Sequence, residues 1–279
     1  MYFDGKVMIS DTENNRVLFV DVPESGLLQD AVASTVIGQD NFNTKDKKCS
    51  ANGMDLPHGL YAVNRGGNLH WLVSDRYNRR ISLWNSLPEQ NVDSSLVLGQ
   101  TDKDTCDYNN ENTLSALATT SYSNGIWTDG EMIISVAPHR LLFWNQWPTE
   151  TGESASFQLG QDNSYADAGP NRYRGNWNTG ADGFDRPTGI NSNGTQLCVA
   201  DRENNRVLIW NAMPTDSDAL PDVVLGQESF TDNILLNTSR RFFEPKHCLF
   251  VDDKILVADS RNNRVLIFNA LNSSDALNK

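Results

Sequence analysis

The stretch Ala200-Asp-Arg-Glu-Asn-Asn-Arg-Val-Leu-Ile-Trp-Asn211 decides the fold, because the chain writes it five times. The other copies are Ser10-Asp-Thr-Glu-Asn-Asn-Arg-Val-Leu-Phe-Val-Asp21, Ser74-Asp-Arg-Tyr-Asn-Arg-Arg-Ile-Ser-Leu-Trp-Asn85, Ile134-Ser-Val-Ala-Pro-His-Arg-Leu-Leu-Phe-Trp-Asn145 and Ala258-Asp-Ser-Arg-Asn-Asn-Arg-Val-Leu-Ile-Phe-Asn269. A segment that returns roughly every 60 residues marks a repeat architecture.

Two further elements keep register with it. Val-x-Gly-Gln follows the first four copies, as Val36-Ile-Gly-Gln39, Val97-Leu-Gly-Gln100, Gln158-Leu-Gly-Gln161 and Val224-Leu-Gly-Gln227. A Pro-x-Gly element precedes copies two to five, as Leu56-Pro-His-Gly59, Tyr122-Ser-Asn-Gly125, Arg186-Pro-Thr-Gly189 and Glu244-Pro-Lys-His247. The units therefore run over about 1–39, 40–100, 101–161, 162–227 and 228–279, within one domain of 1–279.

Each unit reads as strands. Its apolar runs are short, β-branched and aromatic, and Gly, Pro, Asn and Asp bound them. Strand a starts at Pro-x-Gly, strands b and c flank Asp-x-x-Asn-Asn-Arg, and strand d carries Val-x-Gly-Gln. The b–c link is turn chemistry, because Asn and Asp tolerate left-handed backbone. Strand c is apolar on both faces, with Val207 and Ile209 on one and Leu208 and Trp210 on the other. A sheet with one wet face would alternate polar and apolar. Small sheets buried on both sides and repeated in series predict an all-β β-propeller.

The Asp-x-x-Asn-Asn-Arg-Val pattern after Val-Ala-Asp, led by Pro-x-Gly, resembles the NHL repeat, in the bacterial variant with a recurrent Leu-Gly-Gln. The resemblance covers about residues 3–269 and implies a β-propeller, usually of six blades. Propellers of this kind include protein-interaction modules, RNA-binding modules and, more distantly, lactonases and amidating lyases. The first unit lacks a Pro-x-Gly strand a and the last lacks strand d. The chain is thus expected to hold five units with incomplete first and last blades, as in a fragment of a larger ring.

Composition narrows the function. The 279 residues carry a formal charge of −13, which repels nucleic acid at long range. No apolar run approaches the ~20 residues of a membrane helix. The N-terminus has no basic head followed by an apolar stretch, so it does not read as a secretory signal. As written the chain is expected in the cytoplasm as a monomer, or outside it if N-terminally truncated. Of four cysteines, Cys198 and Cys248 read as small buried strand residues. Cys49 and Cys106 lie in polar segments, where a disulfide is open if the protein is extracytoplasmic. No CxxC pair suggests zinc, and neither a metal nor a cofactor is expected.

The repeated Asp and Arg read as architecture, since an active site needs one unique constellation. Asp would cap the b–c turn, and Arg would hold loop carbonyls or a neighbouring Asp across the blade interface. Gly-Gln reads the same way, a bend plus an amide for backbone groups. His58 and His247 begin strand a of different units, and Asn191 is the one inner-strand residue with ligand chemistry. No acidic residue joins them, so no catalytic residues are assigned. A divergent lactonase-like metal hydrolase is the alternative to a binding or scaffold propeller.

Long d–a connections, net acidic together, are the better candidates, because loops of this length are often functional. The third, Ser164 to Gly183, is the most distinctive. Tyr165, Tyr173 and Trp177 with Arg172 and Arg174 have the composition of a surface for a protein or glycan. The competing reading is that these aromatics pin the loop to the sheets, as in an Ω-loop.

Overall fold

The structure is a computed structural model that describes residues 1–269 apart from 4, 25, 27–28, 30, 108–119, 121, 162–168 and 236–237. It is all-β, with five small antiparallel sheets in chain order, the blades of a β-propeller fold. The first holds β1 (Tyr2–Phe3), β2 (Lys6–Asp11), β3 (Arg16–Asp21) and β4 (Ala33–Ile37). The second holds β5 (Pro57–Arg65), β6 (Asn68–Asp75), β7 (Arg80–Trp84) and β8 (Leu96–Leu98). The third holds β9 (Gly125–Thr128), β10 (Ile133–Ala137), β11 (Arg140–Trp144) and β12 (Phe157–Leu159). The fourth holds β13 (Gly189–Ser192), β14 (Leu197–Asp201), β15 (Arg206–Trp210) and β16 (Val223–Leu225). The last has three strands among the described residues, β17 (Pro245–Val251), β18 (Lys254–Asp259) and β19 (Arg264–Asn269). The chain forms two compact units, residues 1–135 with 143–156 and residues 136–142 with 157–279.

The first blade corrects the expectation of a missing strand a. Tyr2 and Phe3 pair with Val7 and Lys6, so the sheet has four strands. Two residues with no Pro-x-Gly lead were enough, because pairing to β2 supplies the order that the sequence does not advertise.

Strand c is buried on both faces where sheets lie on either side. Val207, Leu208 and Ile209 are fully buried and Trp210 nearly so. In the second unit, Cys198, Ala200, Val207 and Ile209 pack against Cys248, Ile255, Val257 and Phe242. The equivalents of Val207 and Ile209 in the last blade, Val265 and Ile267, are 61% and 65% exposed. Cross-strand register puts Ile267, Leu256 and Leu249 in one row of that open face.

Cys198 and Cys248 are not lone buried thiols. They form a disulfide from β14 to β17, and Cys49–Cys106 joins the two long loops of the first unit. Two strand residues facing each other across an apolar interface are close enough to bridge, and periodicity along the sequence does not reveal which sheets face each other.

The repeated polar residues hold the long loops. Asp75 and Arg80 are paired at the end of the β6–β7 hairpin, and Arg80 Nε donates to Asp75 Oδ2 at 2.8 Å. The Arg80 guanidinium also donates to the carbonyls of Ser50, Gly53 and Lys103, which lie in two different loops. Arg206 repeats this with Asp201, Gly180, Gly183 and Phe230. Of the two expected roles of Arg, the hold on loop carbonyls is met, while its Asp partner belongs to the same sheet and not to a neighbour, because Asp and Arg are opposed in register. The Asp makes no side-chain cap to the backbone of the following short turn, but it holds that turn by accepting from the side-chain amide of Asn14, Asn78, Asn204 or Asn262. Its other oxygen accepts the backbone N–H of Asp55, Asp185 or Phe243 at the entry to strand a.

The second Asn of the motif crosses to the next blade. Asn15, Asn205 and Asn263 are left-handed, with φ of 53°, 54° and 50°. Asn15 Oδ1 accepts the N–H of Leu56, and Asn205 Oδ1 that of Glu244. The Gly of Gly-Gln sits at φ near +90° in all four copies, a backbone that disfavours side chains. At Gly160 a Cβ would also fall 2.3 Å from the Phe184 ring.

Candidate functional site

The third blade and the loop after it depart from the repeat. Ser135 stands in place of Asp, and its hydroxyl meets that of Ser123 at 2.9 Å. His139 stands in place of the crossing Asn and does the same job less tightly. Its Nδ1 accepts the N–H of Arg186 at 3.4 Å and lies 3.5 Å from Asp185 Oδ1. Burial pushes His139 down to about 4, with Arg186 adding to the effect. Burial, with the Asp201 and Glu203 charges, pushes the Asp185 carboxyl up to about 6. The imidazole is therefore neutral at pH 7, and its Nδ1 is an acceptor.

The loop from Gly169 to Asp185 is built on polar staples. Asn171 is fully buried in left-handed backbone and forms reciprocal amide bonds with Asn204, at 2.7 and 3.2 Å. Its N–H donates to the Phe184 carbonyl at 2.8 Å, which closes the loop base. Arg206 grips the Gly180 and Gly183 carbonyls from below. Asn171, Arg172 and Tyr173 are all left-handed, a costly run for non-glycine residues that these staples help to sustain.

The sequence candidates divide clearly. Arg172 and Arg174 converge on Asp182, at 2.8 and 2.5 Å. The Arg174 hydrogen bond and both guanidinium charges hold the Asp182 carboxyl below the usual carboxylate range. Tyr173 and Trp177 point outward, 63% and 77% exposed. The loop is therefore fixed by amides and guanidinium groups, while these two rings present large apolar surface to solvent. Tyr165 lies outside the described residues. Asn191 is already engaged, since its Oδ1 accepts the N–H of Phe250 at 2.9 Å. His58 and His247 lie in β5 and β17, apart from this loop in the sequence. Among the described residues no group of three or more His, Cys, Asp or Glu is arranged to hold a metal ion.

Beside the loop is a half-open cavity of about 310 Å³. It is lined by three segments of the second unit: the end of β12 with Gln161, the loop residues Arg172 and Asp182 with Phe184, and Trp210 with the 217–220 turn. Sequence reasoning found only Arg172 of this set. The lining segments are spread from Leu159 to Leu220 in the chain and meet only through the stacking of sheets.

No family model and no curated protein matches the sequence. Solved structures do match in shape. A putative 6-phosphogluconolactonase from Bacteroides uniformis is similar over 99% of this chain and 66% of that chain, with 10% identity and a TM-score of 0.58. The WD40 β-propeller domain of Doa1 is similar over 98% of this chain and 63% of that one, with 13% identity and a TM-score of 0.51. A chain of Chaetomium thermophilum Polycomb Repressive Complex 2 bound to GSK126 is similar over 94% of this chain and 48% of that one, with 9% identity and a TM-score of 0.53. This chain thus spans from just under half to two thirds of the length of these neighbours. At such identities the likeness is one of fold, and the class it defines is that of β-propeller proteins.

Proposed function

We propose that the protein is an NHL-type β-propeller that acts as a binding or scaffold module, with the Gly169–Asp185 loop as its contact surface for a protein or glycan. The observation that carries this reading is the exposure of Trp177 and Tyr173 on a loop otherwise immobilised by buried polar bonds. A rigid element presenting two aromatic rings loses little entropy on binding, and Trp and Tyr dominate interface energetics. Arg174, clamped by Asp182, adds a fixed donor beside them. The net charge of −13 disfavours nucleic acid as the ligand. Two disulfides favour an oxidising compartment over the cytoplasm.

The test is capture of a partner or glycan by the wild type and by Tyr173→Ala/Trp177→Ala. Loss of capture with an unchanged thermal midpoint supports the reading. Unchanged capture, or loss that follows a lowered midpoint, counts against it.

A further inference from the structure

We infer that Asn193 is the acceptor for an asparagine-linked glycan, at the end of the fourth sheet remote from the Gly169–Asp185 loop. This is independent of the loop's proposed binding role, and it draws on the oxidising compartment that the two disulfides favour.

The sequence holds Asn-x-Ser/Thr three times, as Asn193-Gly-Thr195, Asn237-Thr-Ser239 and Asn272-Ser-Ser274. The pattern alone recurs by chance, so structural context decides. Asn237 and Asn272 lie outside the described residues, and Asn193 lies within them. It sits in the tip that joins β13 to β14, where Asn193, Gly194 and Thr195 are all exposed. Gly194 has φ of +90°, and a Cβ built on it would meet no atom within 4 Å, so the tip projects into open solvent. Among the described residues, the hydrogen bonds of Asn193, Gly194 and Thr195 run only to Ser192, to Gln196 and to one another. A bulky addition there displaces nothing from the sheets.

The local chemistry separates the turn from the motif. Asn193 Oδ1 accepts the N–H of Thr195 at 3.0 Å and that of Gln196 at 2.8 Å, an Asx-turn. Asp129 makes the same turn in the third sheet, accepting from Glu131 at 2.9 Å and Met132 at 2.8 Å. A carboxylate therefore serves such a hairpin as well as an amide does. The turn needs neither the Asn193 Nδ2 nor the Thr195 hydroxyl, and these are the two groups that the acceptor pattern requires. Nδ2 donates to Gln196 Oε1 at 3.2 Å, an exposed bond that water can replace.

The co-reactant is a glycan carried on a polyprenyl diphosphate, brought by a transferase. Asn193 Nδ2 attacks its anomeric carbon. The N–C bond forms, the C–O bond to the diphosphate breaks, and the lipid diphosphate leaves with that electron pair. Nδ2 gives up one proton, and nothing is oxidised or reduced. The length of β14, roughly 14 Å at ~3.4 Å per residue, separates this tip from Asp201, which holds the Asp185 N–H at the loop base. The glycan therefore grows from the opposite end of the sheet.

The test is secretion of the full chain behind a cleavable leader, from a eukaryotic cell that N-glycosylates, followed by peptide mass mapping before and after peptide N-glycosidase. Glycan on the Asn193 peptide in most molecules is expected. Asn193→Asp should abolish it with an unchanged thermal midpoint, because Asp129 shows that the turn accepts Asp. Thr195→Ala should abolish it too, and Thr195→Ser should retain it. A bare Asn193 peptide in folded, secreted protein, glycan confined to Asn237 or Asn272, or glycan that survives Thr195→Ala overturns the inference. Thiol titration of the same sample separates compartment from site: two intact disulfides with a bare Asn193 remove the glycan site and leave the compartment standing.

Discussion

Arg206 Nε donates to Asp201 Oδ2 over 2.8 Å, and neither side chain is exposed to solvent. Burial pushes the Asp201 carboxyl up, and the Arg206 charge and the donors of Asn204 and Asp185 offset only part of that rise. The pair is not itself a source of stability, because desolvation offsets most of the attraction. Its importance is what the rest of the guanidinium holds, the carbonyls of Gly180, Gly183 and Phe230.

Arg206→Met leaves the buried Asp201 carboxyl without its counter-ion and three carbonyls unmatched, so it should cost about 3–5 kcal/mol in urea unfolding. The same change at Arg264 should cost clearly less, because the Arg264 side chain is 25% exposed and water can take its place. Equal losses at the two sites would show that the clamp does not depend on burial.

Lysine at Val265 and Ile267 should change stability by no more than about 0.5 kcal/mol, since both side chains already face solvent. The same pair of changes at Val207 and Ile209 should prevent folding, because those positions lie inside the packed interface between the fourth and fifth sheets. Circular dichroism and denaturant melts of the two double variants check this.

The Cys198–Cys248 bond closes a loop of 50 residues, and Cys198→Ala/Cys248→Ala should lower stability by about 2–5 kcal/mol. Thiol titration of the unfolded, unreduced protein should find no free cysteine. Two titratable thiols would show that the bridge does not form.

Asp185 gives a pH signature. Its folded pKa is raised from 3.8 to about 6, so its contribution to stability is full below pH 4 and is lost as pH rises through 6. Asp185→Asn removes that loss and should stabilise the fold at pH 7 by up to about 3 kcal/mol, with no gain at pH 4. His139 acts in the opposite sense, because a neutral imidazole held down to about 4 favours the fold as pH rises toward 6.5. The comparison between Asp185→Asn and wild type cancels the part that His139 contributes independently. A pH-independent difference would contradict the assignment.

The architecture was legible because the repeat states it in side chains. The two apolar faces of Val207 to Trp210 require neighbours on both sides, and the left-handed Asn205 is written in the Asn-Asn turn. β1 was not legible, since Tyr2 and Phe3 become a strand only by pairing with β2. The Cys198–Cys248 bond was hidden for a related reason: both residues have the pattern of core positions, and the facing of two sheets is a tertiary fact. In the site, composition singled out Arg172, Tyr173, Arg174 and Trp177.

The central claim is that the repeated residues staple the long loops to the sheets. Hydrogen exchange at the amides of Asp46, Asp107 and Ile234 tests it most directly, because each lies outside any strand and is held by a glutamine seven residues earlier. Exchange slowed by orders of magnitude relative to free peptide is predicted, with the protection lost locally in Gln39→Ala, Gln100→Ala and Gln227→Ala. Exchange at the free-peptide rate in the wild type, or protection that survives removal of the glutamines, would contradict it.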